Sequence, residues 1–96
     1  MDIVVTYDIN TETQKGARRL AHVAAICERY GERSQYSVFE CRLSHVDVQR
    51  LINELENEID SSVDSVYIYH VAGLLENSCR RLGHSVGHQL GQPWLF

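Results

Sequence analysis

Proline occurs once in this chain of 96 residues, and no apolar run comes near the ~20 residues needed to cross a bilayer, so a membrane partner is not expected. The first residues include Asp2 and lack a basic stretch ahead of an apolar one, which argues against export. Cysteine is scarce too. Cys27, Cys41 and Cys79 are odd in number, widely spaced and without a CxxC pair, which speaks against a disulfide framework and against a cysteine zinc site. The expected compartment is the reducing cytoplasm. No glycine-rich phosphate loop and no Ser-His-Asp or Cys-His signature is present.

What is there is the composition of a folded chain, with 44% hydrophobic and 23% charged residues. Ninety-six residues close one two-layer core, and a self-associating surface would add useful burial at this size. The net charge of -4 counts against nucleic-acid binding, yet the charges are segregated. Lys15, Arg18, Arg19, Arg29 and Arg33 face only Glu28 and Glu32 between positions 15 and 33, whereas positions 47 to 64 carry six acids against Arg50. After Glu76 there is no acid, and Arg80, Arg81, His84 and His88 follow.

The pattern predicts a central strand in "IVVTYDI" (3–9), apolar at nearly every position. "NTETQKG" has turn and N-cap chemistry, and from about residue 13 Ala17, Leu20, Ala21, Ala24 and Cys27 recur at helical spacing, widened by Val23 and Tyr30, until Gly31. "RSQYSVFECRL" returns to strand character, broken near residues 35–37 by either a bulge or a tight bend. Ser44 and Asp47 are spaced as a capping box ahead of the apolar face Val48, Leu51, Ile52, Leu55 and Ile59. "DSVYIYHV" predicts a further strand, with Val66 and Ile68 on one face and Tyr67 and Tyr69 on the other. "SCRRLGH" is a weaker strand candidate. The tail "GHQLGQPWLF" is either frayed or docked.

This order predicts an α+β, ferredoxin-like split β-α-β sandwich, an antiparallel sheet with both helices on one face. The expected division is a domain over residues 1–84, with an additional C-terminal strand, and a tail over 85–96. Strand parity sets Val4, Thr6 and Asp8 on the face opposite Ile3, Val5, Tyr7 and Ile9. That mixed face is the candidate for a homodimer interface.

Asp8, an acid ending a core strand, is the sharpest single residue. It either caps the following turn or serves as a ligand. One carboxylate is a weak magnesium site unless phosphate or a second carboxylate joins it, and a two-fold axis through the open face would supply a second Asp8. A site of that kind can orient or deprotonate a water for attack on a phosphodiester. Arg18, Arg19 and Arg33 can pair with phosphate oxygens, or can be merely solvated. Phe39 and Tyr36 can stack on bases, although an aromatic in a central strand is more often core. His84 and His88 stand four apart, a ligand spacing on a helix, but Gly83 and Gly87 argue against a helix there.

Taken together, "TYDI", the arginine-bearing helix ending "RYGER", "SQYSVFECRLS", the acidic helix, "DSVYIYHV" and "CRRLG" resemble the CRISPR-associated Cas-two family over nearly the whole chain. The resemblance implies a ferredoxin-like homodimer in which the last strand of each protomer extends the partner's sheet. It implies a scaffold role in spacer acquisition, bridging dimers of the CRISPR integrase and holding duplex DNA. It also implies magnesium-dependent endonuclease activity on RNA or double-stranded DNA. The metal-binding, catalytic acid of that activity falls on Asp8. Tyr7, Arg33 and Phe39 match positions tied to activity or site shape, and the helix-one arginine is Arg18 or Arg19. The alternative is a non-catalytic ferredoxin-like regulatory or ligand-sensing dimer.

Overall fold

A computed structural model describes residues 1–71. Their order is β1 (Asp2–Asp8), α1 (Gln14–Tyr30), β2 (Glu32–Gln35), β3 (Val38–Arg42), α2 (His45–Glu58) and β4 (Ser65–Val71). The sheet runs β2-β3-β1-β4, and β1 is antiparallel to both of its neighbours. This is the ferredoxin-like strand order expected from sequence. The weaker strand candidate "SCRRLGH", the His84/His88 pair, Cys79 and the boundary near residue 84 lie outside the described residues.

The core follows from strand parity. Ile3, Val5, Tyr7 and Ile9 of β1 and its exit meet Val23, Ile26 and Cys27 of α1 and Val48, Leu51 and Leu55 of α2, with Phe39 and Cys41 from β3. From β4, Val66 and Ile68 pack on this cluster while Tyr67 and Tyr69 are exposed on the other side of the sheet. The helices therefore cover one face, and Tyr67 and Tyr69 stack against each other on the opposite one with ring centroids 6.3 Å apart.

Helix α1 starts where Thr13, in extended conformation, accepts a hydrogen bond on Oγ1 from Gly16 N at 3.0 Å. Gly16 is buried because the β1–α1 loop folds back over the first helical turn; a Cβ there would meet Asn10 O at 1.9 Å. This contact fixes the rotation of the helix. Gly16, Leu20, Val23, Cys27 and Tyr30 turn inward with Ile26 beside them, whereas Ala17 and Ala21, expected in the apolar stripe, are exposed.

The helix stops at Gly31, but not through a left-handed turn, since its φ is -165°. The glycine is needed because β3 passes close by, and a Cβ would meet Glu40 O at 2.3 Å. Both readings of residues 35–37 are realised: β2 and β3 form a hairpin turning at Tyr36 and Ser37, and the register shifts between Arg33 and Gln35. Helix α2 begins as predicted, with Ser44 Oγ accepting from Asp47 N at 3.2 Å.

Candidate functional site

The candidate residues gather at one end of the sheet, set by register. Asp8, the last residue of β1, pairs with Ser65, the first of β4, and Tyr7 N donates to Ser37 O at 3.2 Å across the β2–β3 turn. The end of β1, the hairpin tip, the start of β4 and the N-terminus of α1 therefore lie together. Alternation along β1 splits the first two residues: Tyr7 turns into the core and Asp8 is exposed on the uncovered side.

Tyr7 sits in a short aromatic stack. Its ring lies 6.2 Å from that of Phe39 at 23°, and its hydroxyl is 3.5 Å from Tyr36 O. Burial pushes the Tyr7 phenol above its usual range, so at neutral pH it is a neutral donor and not a base. Arg33, in register with Phe39, places its Cζ 5.2 Å from the Phe39 centroid. Phe39 is 0% exposed, so it offers no surface for stacking on a base and instead carries Arg33 and Tyr7.

The two arginines of helix one differ. Arg19 Nε donates to Asp64 Oδ2 at 2.7 Å and its Nη2 to Oδ1 at 3.3 Å, and the Asp64 side chain has no exposed area. Asp64 also accepts from Asn10 N and Asp60 N, each at 2.9 Å. The Arg19 guanidinium, helped by those two backbone bonds, holds the Asp64 carboxyl down at about 2 despite burial. Arg19 is thus committed to tying the loop after Asp8 to the turn before β4. Arg18 is exposed and has no ion pair among the described residues.

Asp64 was hidden in the sequence among the acids of positions 47 to 64. Its local signal was slight: an acid directly before a strand, four residues after Asp60, where Asp60 Oδ1 accepts from Ser62 N and forms a tight turn. Among the described residues no three His, Cys, Asp or Glu side chains come together as a metal site. A single carboxylate such as Asp8 is a weak magnesium ligand set, to which a second carboxylate or a phosphate would have to be added. No helix among the described residues is long and apolar enough to cross a membrane.

Comparison with known proteins agrees with this fold. The family model described as CRISPR associated protein Cas2 matches residues 1–81. The CRISPR-associated endoribonuclease Cas2 of Chlorobaculum tepidum is 46% identical over 69 residues, 72% of each chain. The CRISPR-associated endonuclease Cas2 of Halalkalibacterium halodurans is 34% identical over 96 residues, the full length of both. The crystal structure of Streptococcus pyogenes Cas2 superposes with a TM-score of 0.78 at 40% identity, covering 86% of this chain and all of that one. With the family model spanning most of the chain and a relative matching end to end, the protein belongs to the Cas2 family of CRISPR-associated proteins.

Proposed function

We propose that the protein works as a homodimer joined through the open sheet face, binding nucleic acid as a scaffold for the CRISPR integrase and cutting phosphodiester bonds of RNA or double-stranded DNA with magnesium. The observation that carries this reading is Asp8, an exposed carboxylate at the end of a buried strand, on the face the helices leave bare. The names of the relatives, endoribonuclease in one and endonuclease in the other, support the same reaction class.

In the proposed dimer a two-fold axis brings the two Asp8 side chains together. Magnesium held there would neutralise phosphate charge and lower the cost of deprotonating a water. The chain's own residues do the rest. Asp8 supplies the ligand oxygens and holds the attacking water by hydrogen bonding. Arg33, fixed over Phe39, and Arg18, at the start of α1, bind phosphate oxygens. Tyr7 keeps the hairpin closed against the end of β1.

Purified protein is expected to cleave RNA or duplex DNA when magnesium is added. Asp8→Asn, at an exposed position, should abolish cleavage while keeping the fold and the dimer, with a stability change within about 0.5 kcal/mol. Full activity in that variant would sink the mechanism. For the scaffold, Asp8→Asn is expected to support spacer acquisition in cells that contain the integrase. Loss of acquisition with an intact dimer and complex would assign Asp8 a chemical role in that process.

A further inference from the structure

Tyr36 is the most exposed large hydrophobic side chain among the described residues, at 82%, and it occupies the tip of the β2–β3 hairpin. A tyrosine in solvent at a turn is common. This one is held from beneath, since Tyr36 O faces the buried Tyr7 hydroxyl at 3.5 Å and the next residue, through Ser37 O, accepts from Tyr7 N at 3.2 Å. Its backbone is therefore tied to the strand that carries Asp8, and the ring projects from that end of the sheet. Arg33, three residues earlier and fixed above Phe39, supplies a guanidinium on the same hairpin. Tyr67 and Tyr69 are also exposed, but they lie on the open face that the proposed dimer covers.

We infer that Tyr36 is a base-stacking residue: its ring takes an unpaired base of a nucleic-acid chain whose phosphate is held by Arg33. This rests on the nucleic-acid reading above and narrows it. Base–aromatic stacking needs the flat face of a base, which a continuous duplex hides and a single strand or a frayed end exposes. The hairpin tip therefore selects unpaired segments, whether RNA or DNA, over the interior of a duplex. Phe39, which sequence reasoning placed beside Tyr36 as a stacking candidate, is excluded by its burial.

The test measures binding of labelled single strands of about 12 nucleotides, as RNA and as DNA, and of a longer duplex labelled internally, by fluorescence anisotropy. The full chain is compared with Tyr36→Ala, Tyr36→Phe and Tyr36→Leu. Tyr36→Ala should weaken single-strand binding about 5- to 150-fold, the range for removing one stacked base. Tyr36→Phe should retain it within about 2-fold, Tyr36→Leu should not rescue it, and duplex affinity should be unchanged. The RNA and DNA arms tell which backbone is preferred. Wild-type affinity in Tyr36→Ala, equal losses on single strand and duplex, or equal rescue by Leu and Phe would each overturn the inference while leaving the nucleic-acid reading in place. A change of oligomeric state in Tyr36→Ala by light scattering would also overturn it, because the ring would then be an interface residue. Failure of the unaltered protein to bind any of the three probes would instead remove the nucleic-acid reading itself.

Discussion

Replacing Asp64 with Asn should destabilise the protein strongly, and by an amount that depends on pH in a fixed sense. The side chain is buried, takes two hydrogen bonds from Arg19, and takes one each from the backbone N–H of Asn10 and Asp60. An amide keeps one acceptor oxygen but turns an NH2 toward donors. The variant therefore loses the ion pair and leaves Arg19, 17% exposed, facing a dipole that partly repels it. The carboxyl sits at about 2 in the fold against an ordinary value of 3.8. That depression makes the ionised form worth on the order of 2 kcal/mol to the folded state. The sign follows from the direction. Because the folded value is depressed, this stability is complete above about pH 4 and is lost as pH falls through about 2.

Urea unfolding of wild type and Asp64→Asn, at one protein concentration because association adds stability by mass action, reads the difference directly. At pH 7 the variant should be less stable by about 2–3 kcal/mol, at or just below the range for breaking a fully buried pair because Arg19 keeps some access to water. At pH 2 to 2.5 the gap should shrink by at least about 1 kcal/mol, since wild-type Asp64 is by then partly protonated. Other depressed carboxyls, such as Asp2 beside Arg42 and Glu54 beside Arg29, lower both curves alike and cancel in the gap. A gap unchanged between pH 7 and pH 2, or under 0.5 kcal/mol throughout, would refute the view that Asp64 is a charged tie.

Gly16→Ala should cost at least about 1–3 kcal/mol, read as a lower urea midpoint, because its Cβ would be driven against the backbone oxygen of Asn10. Exposed Ala17→Gly, by contrast, should cost no more than about 1 kcal/mol. Burial pushes the Cys27 thiol up to about 12 and Cys41 to about 11, so neither should react with a thiol reagent at pH 8 until the protein is unfolded. Fast labelling of either in the native state would contradict the packing of α1 on β3.

The sequence carried the fold well because each strong signal was local. Parity along β1, the cap at Ser44 and the apolar face of α2 specify neighbours within a few residues, and the structure follows them. The rotation of α1 was misread for a physical reason. Alanine is neutral enough to sit inside or outside, so Ala17 and Ala21 looked like core, and the true determinant was a close approach between Gly16 and Asn10 that no periodicity encodes. Asp64 was missed because its partner lies 45 residues away. A charge that is neutralised by tertiary structure looks, in sequence, like any solvated one. Phe39 and Tyr36 were likewise equivalent as aromatics near one turn; the one-residue detail of where β3 begins puts one in the core and the other in solvent.

The same distinction between counted and matched charge resolves how a chain of net charge -4 can present a surface to phosphate. Part of the acid is matched within the protomer. Glu54 is bonded by Arg29 and by the Tyr30 hydroxyl, Asp2 meets Arg42 at 2.7 Å, and Asp64 is buried under Arg19. Lys15, Arg18 and Arg33 are exposed, with no ion pair among the described residues. Phosphate responds to the local set, since charges more than about 8 Å away are screened at physiological salt. In the proposed dimer these cations are doubled, and so is Asp8. Two carboxylates brought together repel unless one protonates or a cation lies between them. Metal binding and nucleic-acid binding would then be two parts of one electrostatic balance: an ion that relieved the proposed Asp8 pair would also allow a phosphate to approach it.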